Sequence, residues 1–135
     1  MRYLLDTHAW IWAALGDTRL GSKARRALSN LSRGERVGLA AISLKEAAWL
    51  LARGRIELLA PSASWPRWLR ETASAPGLEV LPLTVEVAIE SERLPQSLPR
   101  DPADRLIAAT ARIHDVTLLT ADAGLHGHEG LATLW

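Results

Sequence analysis

The sequence predicts an α/β fold in three layers, with a central, mostly parallel sheet of four to five strands and helices on both of its faces. Short apolar runs alternate along the chain with longer segments in which apolar residues recur at helical spacing. The apolar runs contain few polar residues, as is typical of strands that are buried on both faces. The chain has 135 residues and no repeat or long linker, so we expect a single domain over residues 1–135.

The predicted strands are short apolar runs that end at polar or turn-forming residues. The first run, RYLL, stops at Asp6, and the fourth, VTLLT, stops at Thr120. The final run, LATLW, is predicted as a fifth strand. In chain order, the five runs are residues 2–5, 37–42, 78–83, 116–120 and 131–135.

The predicted helices lie between these strands and are bounded by capping residues. Ser22 is a favourable N-cap for a basic helix, and Pro66 and Pro102 suit the first turns of two others. Ser43 and Glu46 match a capping box, in which the glutamate side chain returns to a backbone N–H at the start of the helix. In chain order, the helices are residues 8–15, 22–31, 43–52, 61–73, 84–93 and 102–114.

The absence of cysteine excludes disulfides and thiolate metal sites, so a metal ion would be held by carboxylates, histidines or backbone oxygens. It also fits a reducing compartment. Asp6 and His8 interrupt the apolar start of the chain, which therefore does not match a signal peptide. No run approaches the roughly 20 apolar residues of a membrane-spanning helix, and we expect a cytoplasmic protein.

The basic residues are almost all arginine, because only Lys23 and Lys45 among the 16 are lysines. Arginine suits bidentate contacts with phosphate. A GC-rich genome explains the same composition, and the net charge of +1 does not by itself indicate a nucleic-acid-binding protein.

The tryptophans fall into two groups by their surroundings in the sequence. Trp10, Trp12 and Trp49 lie in apolar helical patterns and are predicted to be core or subunit-interface residues. Trp65 and Trp68 are predicted to be partly exposed, where they would suit contact with a partner protein.

Four acidic side chains are predicted to lie at one edge of the sheet, where ligands bind in open α/β folds. Asp6 follows the first strand directly, and Glu46 lies one helical turn past the second. Asp122 lies two residues past the fourth strand, and Asp104 lies in the first turn of the helix after a proline-containing loop. Mutual repulsion would raise the pKa of such a group, and a divalent cation would relieve it. Oxygen ligands without sulfur favour Mg²⁺ or Mn²⁺.

Each acid also has a purely structural interpretation. Asp6 and Asp101 are placed to cap the helices that follow them, and Asp122 suits a turn. Glu46 belongs to the capping box described above. We expect Asp101 to start its helix and Asp104 to face the metal ion.

These residues resemble the acidic motifs of a known family. LLDTHAWIW, SLKEAAWLL, RDPADRLIAATA and LLTAD are similar to the motifs of PIN-domain ribonucleases, and most similar to VapC-type toxins of bacterial toxin–antitoxin pairs. The resemblance runs from Tyr3 to the closing LATLW and is most specific in DRLIAATA followed by LLTAD. It implies an α/β/α PIN-like fold, metal-dependent endonuclease activity on RNA, and a VapB-type antitoxin that blocks the site. It also implies a homodimer.

Carried over residue by residue, the resemblance assigns the family's four acids to Asp6, Glu46, Asp104 and Asp122. They are the expected catalytic residues and the expected ligands of Mg²⁺ or Mn²⁺. Asp101 is an additional acid, which would either bind the metal through water or serve only as a helix cap.

Polar side chains beside the four acids are predicted to support them. The hydroxyls of Thr7, Ser43 and Thr120 are candidates to orient the carboxylates. Arg100 and Arg105 flank the acids of the last long helix, where they would either hold RNA phosphates or balance the local charge through salt bridges.

Two other functions remain compatible with the acids. A non-catalytic PIN-like module would use the acidic pocket to capture an arginine of a partner protein. An aspartyl-nucleophile phosphotransferase would also place an aspartate after the first strand, but it needs a second aspartate two residues later, where this chain has His8.

Overall fold

A computed structural model describes residues 1–58 and 64–135, within which six α-helices and five strands form three layers. The predicted α/β class is confirmed, and most element bounds lie within two residues of the predicted ones. In chain order, the elements are β1 (Tyr3–Leu5), α1 (Thr7–Leu15), α2 (Ser22–Ser29), β2 (Val37–Ala40), α3 (Ile42–Ala52), α4 (Trp65–Ala73), β3 (Leu78–Leu81), α5 (Val85–Arg93), α6 (Pro102–Ile113), β4 (Thr117–Leu119) and β5 (Thr133–Leu134).

The sheet has the order β3-β2-β1-β4-β5, and all of its strands are parallel. β1 lies at the centre, where Leu5 pairs with Leu39 of β2 on one side and with Leu119 of β4 on the other. The chain builds outward from β1 in one direction and then returns to its other side with β4. Ligands of open α/β sheets bind at this kind of reversal, beyond the carboxyl ends of the strands.

The sheet separates two hydrophobic cores, because successive residues of a strand point to opposite faces. Leu4 of β1 packs in one core with Val87 of α5 and Ile107 of α6. Its neighbour Leu5 packs in the other core with residues of α1, α2 and α3, such as Ala47. Helices therefore cover both faces of the sheet, and α1, α3 and α6 all begin near its carboxyl edge.

Two helix starts differ from the prediction. α2 is capped by Gly21 without a side-chain hydrogen bond, and Ser22 is its first helical residue. α3 begins at Ile42 after an already helical Ala41, so Ser43 lies inside the helix and the capping-box prediction is wrong. The tertiary contact of the Ser43 hydroxyl, described below, replaces the cap.

The remaining differences are small. Residues 61–63 of the helix predicted over 61–73 lie outside the described residues, and the helix is observed from Trp65 with Pro66 in its first turn. The longest helix in the described ranges, α6, has 12 residues. Within those ranges no helix is long and apolar enough to cross a bilayer.

Candidate active site

The acids predicted from the sequence line one cleft at the carboxyl edge of the sheet. The cleft has a volume of about 470 Å³ and lies beyond β1 and β4, at the reversal of strand order. The starts of α1, α3 and α6 contribute most of its wall. Its acidic lining residues are Asp6, Glu46, Asp101, Asp104 and Asp122.

Asp6 is fixed at the junction of β1 and α1. It is the N-cap of α1, and its Oδ1 accepts a hydrogen bond of 2.8 Å from the Ala9 amide. Burial raises the pKa of the Asp6 carboxyl above its ordinary value, and hydrogen bonds from the Thr120 hydroxyl and the Ala9 amide oppose that rise. Because Asp6 caps the helix and is half-buried, its carboxylate is held in place at an electrostatic cost.

Asp104 also carries an electrostatic cost. Burial, together with the negative charges of Asp101, Asp122, Glu46 and Asp6, raises its pKa to about 6. The neighbouring acids thus act on Asp104 through space, which is a physical sign that the side chains share one site.

Asp101 starts α6, as predicted from the sequence. Its Oδ1 accepts hydrogen bonds from the amides of Ala103 and Asp104, at 2.8 and 3.4 Å. Pro102 occupies the first turn of the helix, where its missing N–H is not needed. The cap orients the first turn of α6 and with it the Asp104 side chain.

A buried hydroxyl links α1 to α3 beside the cleft. Thr7 Oγ1 lies 2.9 Å from Ser43 Oγ and 2.5 Å from Glu46 Oε1, and both hydroxyl-bearing residues are buried. A threonine hydroxyl has one proton and a carboxylate can only accept, so Thr7 donates to Glu46 and accepts from Ser43. This chain of contacts fixes one oxygen of Glu46 and leaves the other for the cleft.

Asp122 is held by a turn that follows β4. Its Oδ1 accepts from the Gly124 amide at 2.8 Å, while its own amide donates to Thr120 Oγ1 at 3.0 Å. Thr120 is fully buried. Its hydroxyl contacts both the Asp122 amide and the Asp6 carboxylate and so connects the two acids. His126 supports the same turn from behind, with Nε2 2.7 Å from the Thr120 carbonyl oxygen.

The described part of the chain places no balancing lysine or arginine in the cleft. Within residues 1–58 and 64–135, no lysine or arginine lines the cleft, and none of its five acids forms an ion pair. In those same ranges, no three acidic or histidine side chains lie close enough to ligate one ion together. Carboxylates that line one cleft without converging on a single point fit Mg²⁺, which keeps several waters and takes only one or two carboxylates directly.

Arg105, one of the two predicted RNA contacts, holds the loop before α6. Its guanidinium donates to backbone carbonyls of Ser91, Leu94, Pro95 and Pro99, at 2.9 to 3.4 Å. A guanidinium held in this way would have to break these bonds to grip a phosphate. Arg100, the other predicted RNA contact, is better placed to bind a phosphate, because it is exposed and directly precedes Asp101 in the chain.

Removing the guanidinium of Arg105 is expected to loosen this loop. Arg105→Gln should lower the free energy of unfolding by about 2 kcal/mol, because partly buried carbonyls lose a charged donor. Urea unfolding followed by circular dichroism measures the change. The matched variant Arg100→Gln should stay within about 0.5 kcal/mol of wild type. An equal loss of stability in both variants would contradict the role of Arg105 in holding this loop.

Comparison with known proteins agrees with the fold. A family model described as PIN domain matches residues 3–130. The chain belongs to the PIN-domain family. The resemblance drawn from the acidic motifs is thereby confirmed.

One curated relative of this PIN domain is Ribonuclease VapC22 from Mycobacterium tuberculosis, which is 39% identical over 134 residues. The match covers 98% of this chain and 97% of the relative. FitAcB from Neisseria gonorrhoeae is 26% identical with a TM-score of 0.67, over 97% of this chain and 95% of that one. A toxin-antitoxin complex from Klebsiella pneumoniae is 20% identical, also with a TM-score of 0.67, over 97% and 96%.

Some residues of the site region were not predicted from the sequence. Trp12 was expected in a core or interface, but it is only half-buried and lines the cleft, with its ring centroid 5.4 Å from that of His8. Trp10 is buried as expected, whereas Trp49 is 37% exposed. The spacing of apolar residues in α1 and α3 does not distinguish the buried tryptophan from the two that are more exposed.

Proposed function

We propose that this PIN domain is a metal-dependent endoribonuclease that hydrolyses RNA phosphodiester bonds as the toxin of a toxin–antitoxin pair. The observation that carries the proposal is the convergence of five carboxylates on one cleft, to which no lysine or arginine of the described residues contributes. The 39% identity to a protein named a ribonuclease supports RNA as the substrate.

Asp6 and Asp104 would hold Mg²⁺ or Mn²⁺, directly or through water. A divalent cation bound there lowers the pKa of water and stabilises negative charge on the scissile phosphate. Glu46, whose Oε1 is fixed by Thr7, would orient the attacking water and accept its proton on the other carboxylate oxygen. Asp122 would complete the acidic ring from the turn after β4.

The partner we propose is a VapB-type antitoxin that covers the cleft. An uncompensated acidic cleft attracts a cationic side chain of a partner, and binding of such a side chain would displace the metal ion. The protein itself would form a homodimer, as the resemblance to VapC-type toxins implies.

The test is cleavage of a mixed RNA pool by purified protein in Mg²⁺ or Mn²⁺, compared with the same reaction in excess EDTA. The expected result is cutting that depends on the metal ion and is restored when the metal is added back. If Mn²⁺ raises the melting temperature of the protein but the protein cuts no RNA, the result would instead favour the non-catalytic binding module.

A further inference from the structure

An exposed tryptophan on α3 carries two arginines on its ring. The guanidinium carbon of Arg53 lies 4.4 Å from the centroid of Trp49, and that of Arg55 lies 5.1 Å from it. Trp49 is 37% exposed, and both arginines are exposed. We call these three residues the Trp49 cluster. Lys45, one helical turn earlier on the same face, adds a further positive charge.

The positive charge of the Trp49 cluster is held in place without being neutralised. In the parts of the chain that the structure describes, neither Arg53 nor Arg55 forms an ion pair with a carboxylate. Cation–π contacts orient the guanidiniums, and Arg53 also donates to the Trp49 carbonyl at 3.3 Å. Two pre-oriented, unpaired guanidiniums on an aromatic ring suit a ligand with several negative charges and flat groups.

A groove runs from the acid cleft to Arg55, the member of the Trp49 cluster that lines it. It has a volume of about 770 Å³ and is lined by α1, by the end of α3 and by the segments that follow them, which contribute Arg19 and Arg55 as well as Asp17 and Glu57. His8 and Trp12 line both this groove and the acid cleft. On α3 itself, Trp49 lies one helical turn after Glu46. A chain bound across the acids therefore has a path to Arg55, whose guanidinium lies against the Trp49 ring.

We propose that the Trp49 cluster binds the single-stranded RNA beyond the scissile bond, with phosphates at Arg53 and Arg55 and a base stacked against the ring or the guanidinium planes. Aromatic rings combined with arginines are the usual means of holding single strands without sequence preference. This inference rests on the proposed ribonuclease function. RNA is favoured over an acidic protein segment because the path leads from the cleft proposed to cut RNA.

The test compares two RNA substrates of different length, since a short one cannot span the path. Arg53→Gln/Arg55→Gln should raise KM about tenfold for an RNA of about 12 nucleotides and leave kcat unchanged. It should leave KM for an RNA of about four nucleotides within about twofold. The slope of log KM against log salt for the longer RNA should fall by about 1.4, as expected for two lost phosphate contacts.

Matched variants separate this effect from general loss of charge or stability. Arg26→Gln/Arg33→Gln removes two exposed arginines elsewhere, and should leave KM for both RNAs within about twofold. Arg53→Lys/Arg55→Lys keeps the charge, and its KM for the longer RNA should lie between those of wild type and the glutamine variant, because lysine does not stack as arginine does. Thermal melting monitored by circular dichroism verifies that each variant is folded.

Failure of the inference differs from failure of the proposed function. If wild type cleaves neither RNA, the ribonuclease function is contradicted, and the inference with it. If wild type cleaves both but the glutamine variant matches it on the longer RNA, the inference alone is overturned. An unchanged KM together with weaker binding of a purified antitoxin would identify the cluster as a protein contact and would equally overturn the inference.

Discussion

Replacing Asp104 with asparagine is expected to abolish RNA cleavage while stabilising the protein in the absence of metal. Asp104 is half-buried, and its pKa is raised to about 6 by burial and by the surrounding acids. Because Asp104 is a proposed metal ligand, removing its charge should lower kcat/KM at least about 100-fold. Even mutation of residues that only hydrogen-bond to metal ligands lowers activity about 10- to 100-fold. Activity on a defined RNA in Mn²⁺ measures this loss.

The stability gain of Asp104→Asn should depend on pH. The pKa of Asp104 is higher in the folded chain than its ordinary value of 3.8, so the folded state binds more protons between about pH 4 and 6. Stability from this group is therefore present below about pH 4 and is lost as the pH rises through about 6. At pH 7 without metal, the variant should be more stable by about 1 kcal/mol, discounted for the partial exposure of the group.

Asp101→Asn is the matched control for Asp104→Asn. It removes one negative charge from the same helical turn, and asparagine caps a helix as well as aspartate does. Cleavage should remain within about threefold of wild type if Asp101 acts as the cap. Loss of activity in Asp101→Asn equal to that in Asp104→Asn would contradict the assignment of the two acids.

Removing the Thr7 hydroxyl is expected to lower both stability and activity. Thr7→Val keeps the shape of the side chain but leaves Ser43 Oγ and Glu46 Oε1 without their shared partner. The Ser43 hydroxyl is fully buried, so the free energy of unfolding should fall by about 2 kcal/mol. Glu46 also loses the contact that orients it, and kcat should fall about tenfold. Urea unfolding and the RNA cleavage assay measure the two effects.

Thr7→Ser keeps the hydroxyl and serves as the control for Thr7→Val. It should retain most of the activity and lose only the packing of one methyl group, about 1 kcal/mol. If valine proved as active as serine at position 7, the hydroxyl would not orient Glu46. A cycle with Glu46→Gln isolates the coupling, since Thr7→Val should cost little activity once the carboxylate is already gone.

The fold and the grouping of the acids could be predicted from the sequence because both follow from local patterns. Apolar runs with few polar residues indicated parallel strands, and parallel strands bring their carboxyl ends to one edge. Asp6, Asp104 and Asp122 could therefore be placed together from their positions after strands or at a helix start. The Asp101 cap was also predictable, because capping depends only on the next three residues.

The contacts that the sequence did not reveal join distant parts of the chain. Ser43 and Glu46 matched a capping box, but Glu46 instead accepts from Thr7, which is 39 residues away. Arg105 flanks an acid and suggested phosphate binding, yet its partners are carbonyls of a folded loop. Trp49 lies in an apolar helical pattern, and only the tertiary packing of α3 leaves it exposed. No local pattern encodes these partners.

The most direct test of the acid cleft is the affinity of the protein for Mn²⁺ at pH 7, measured by isothermal titration calorimetry. Wild type, Asp104→Asn and Asp101→Asn are compared under the same conditions. If the cleft holds a divalent cation through Asp104, wild type and Asp101→Asn should bind Mn²⁺ with similar affinity, and Asp104→Asn should bind at least about tenfold more weakly. Equal binding by all three proteins, or no binding by wild type, would contradict the proposed metal site.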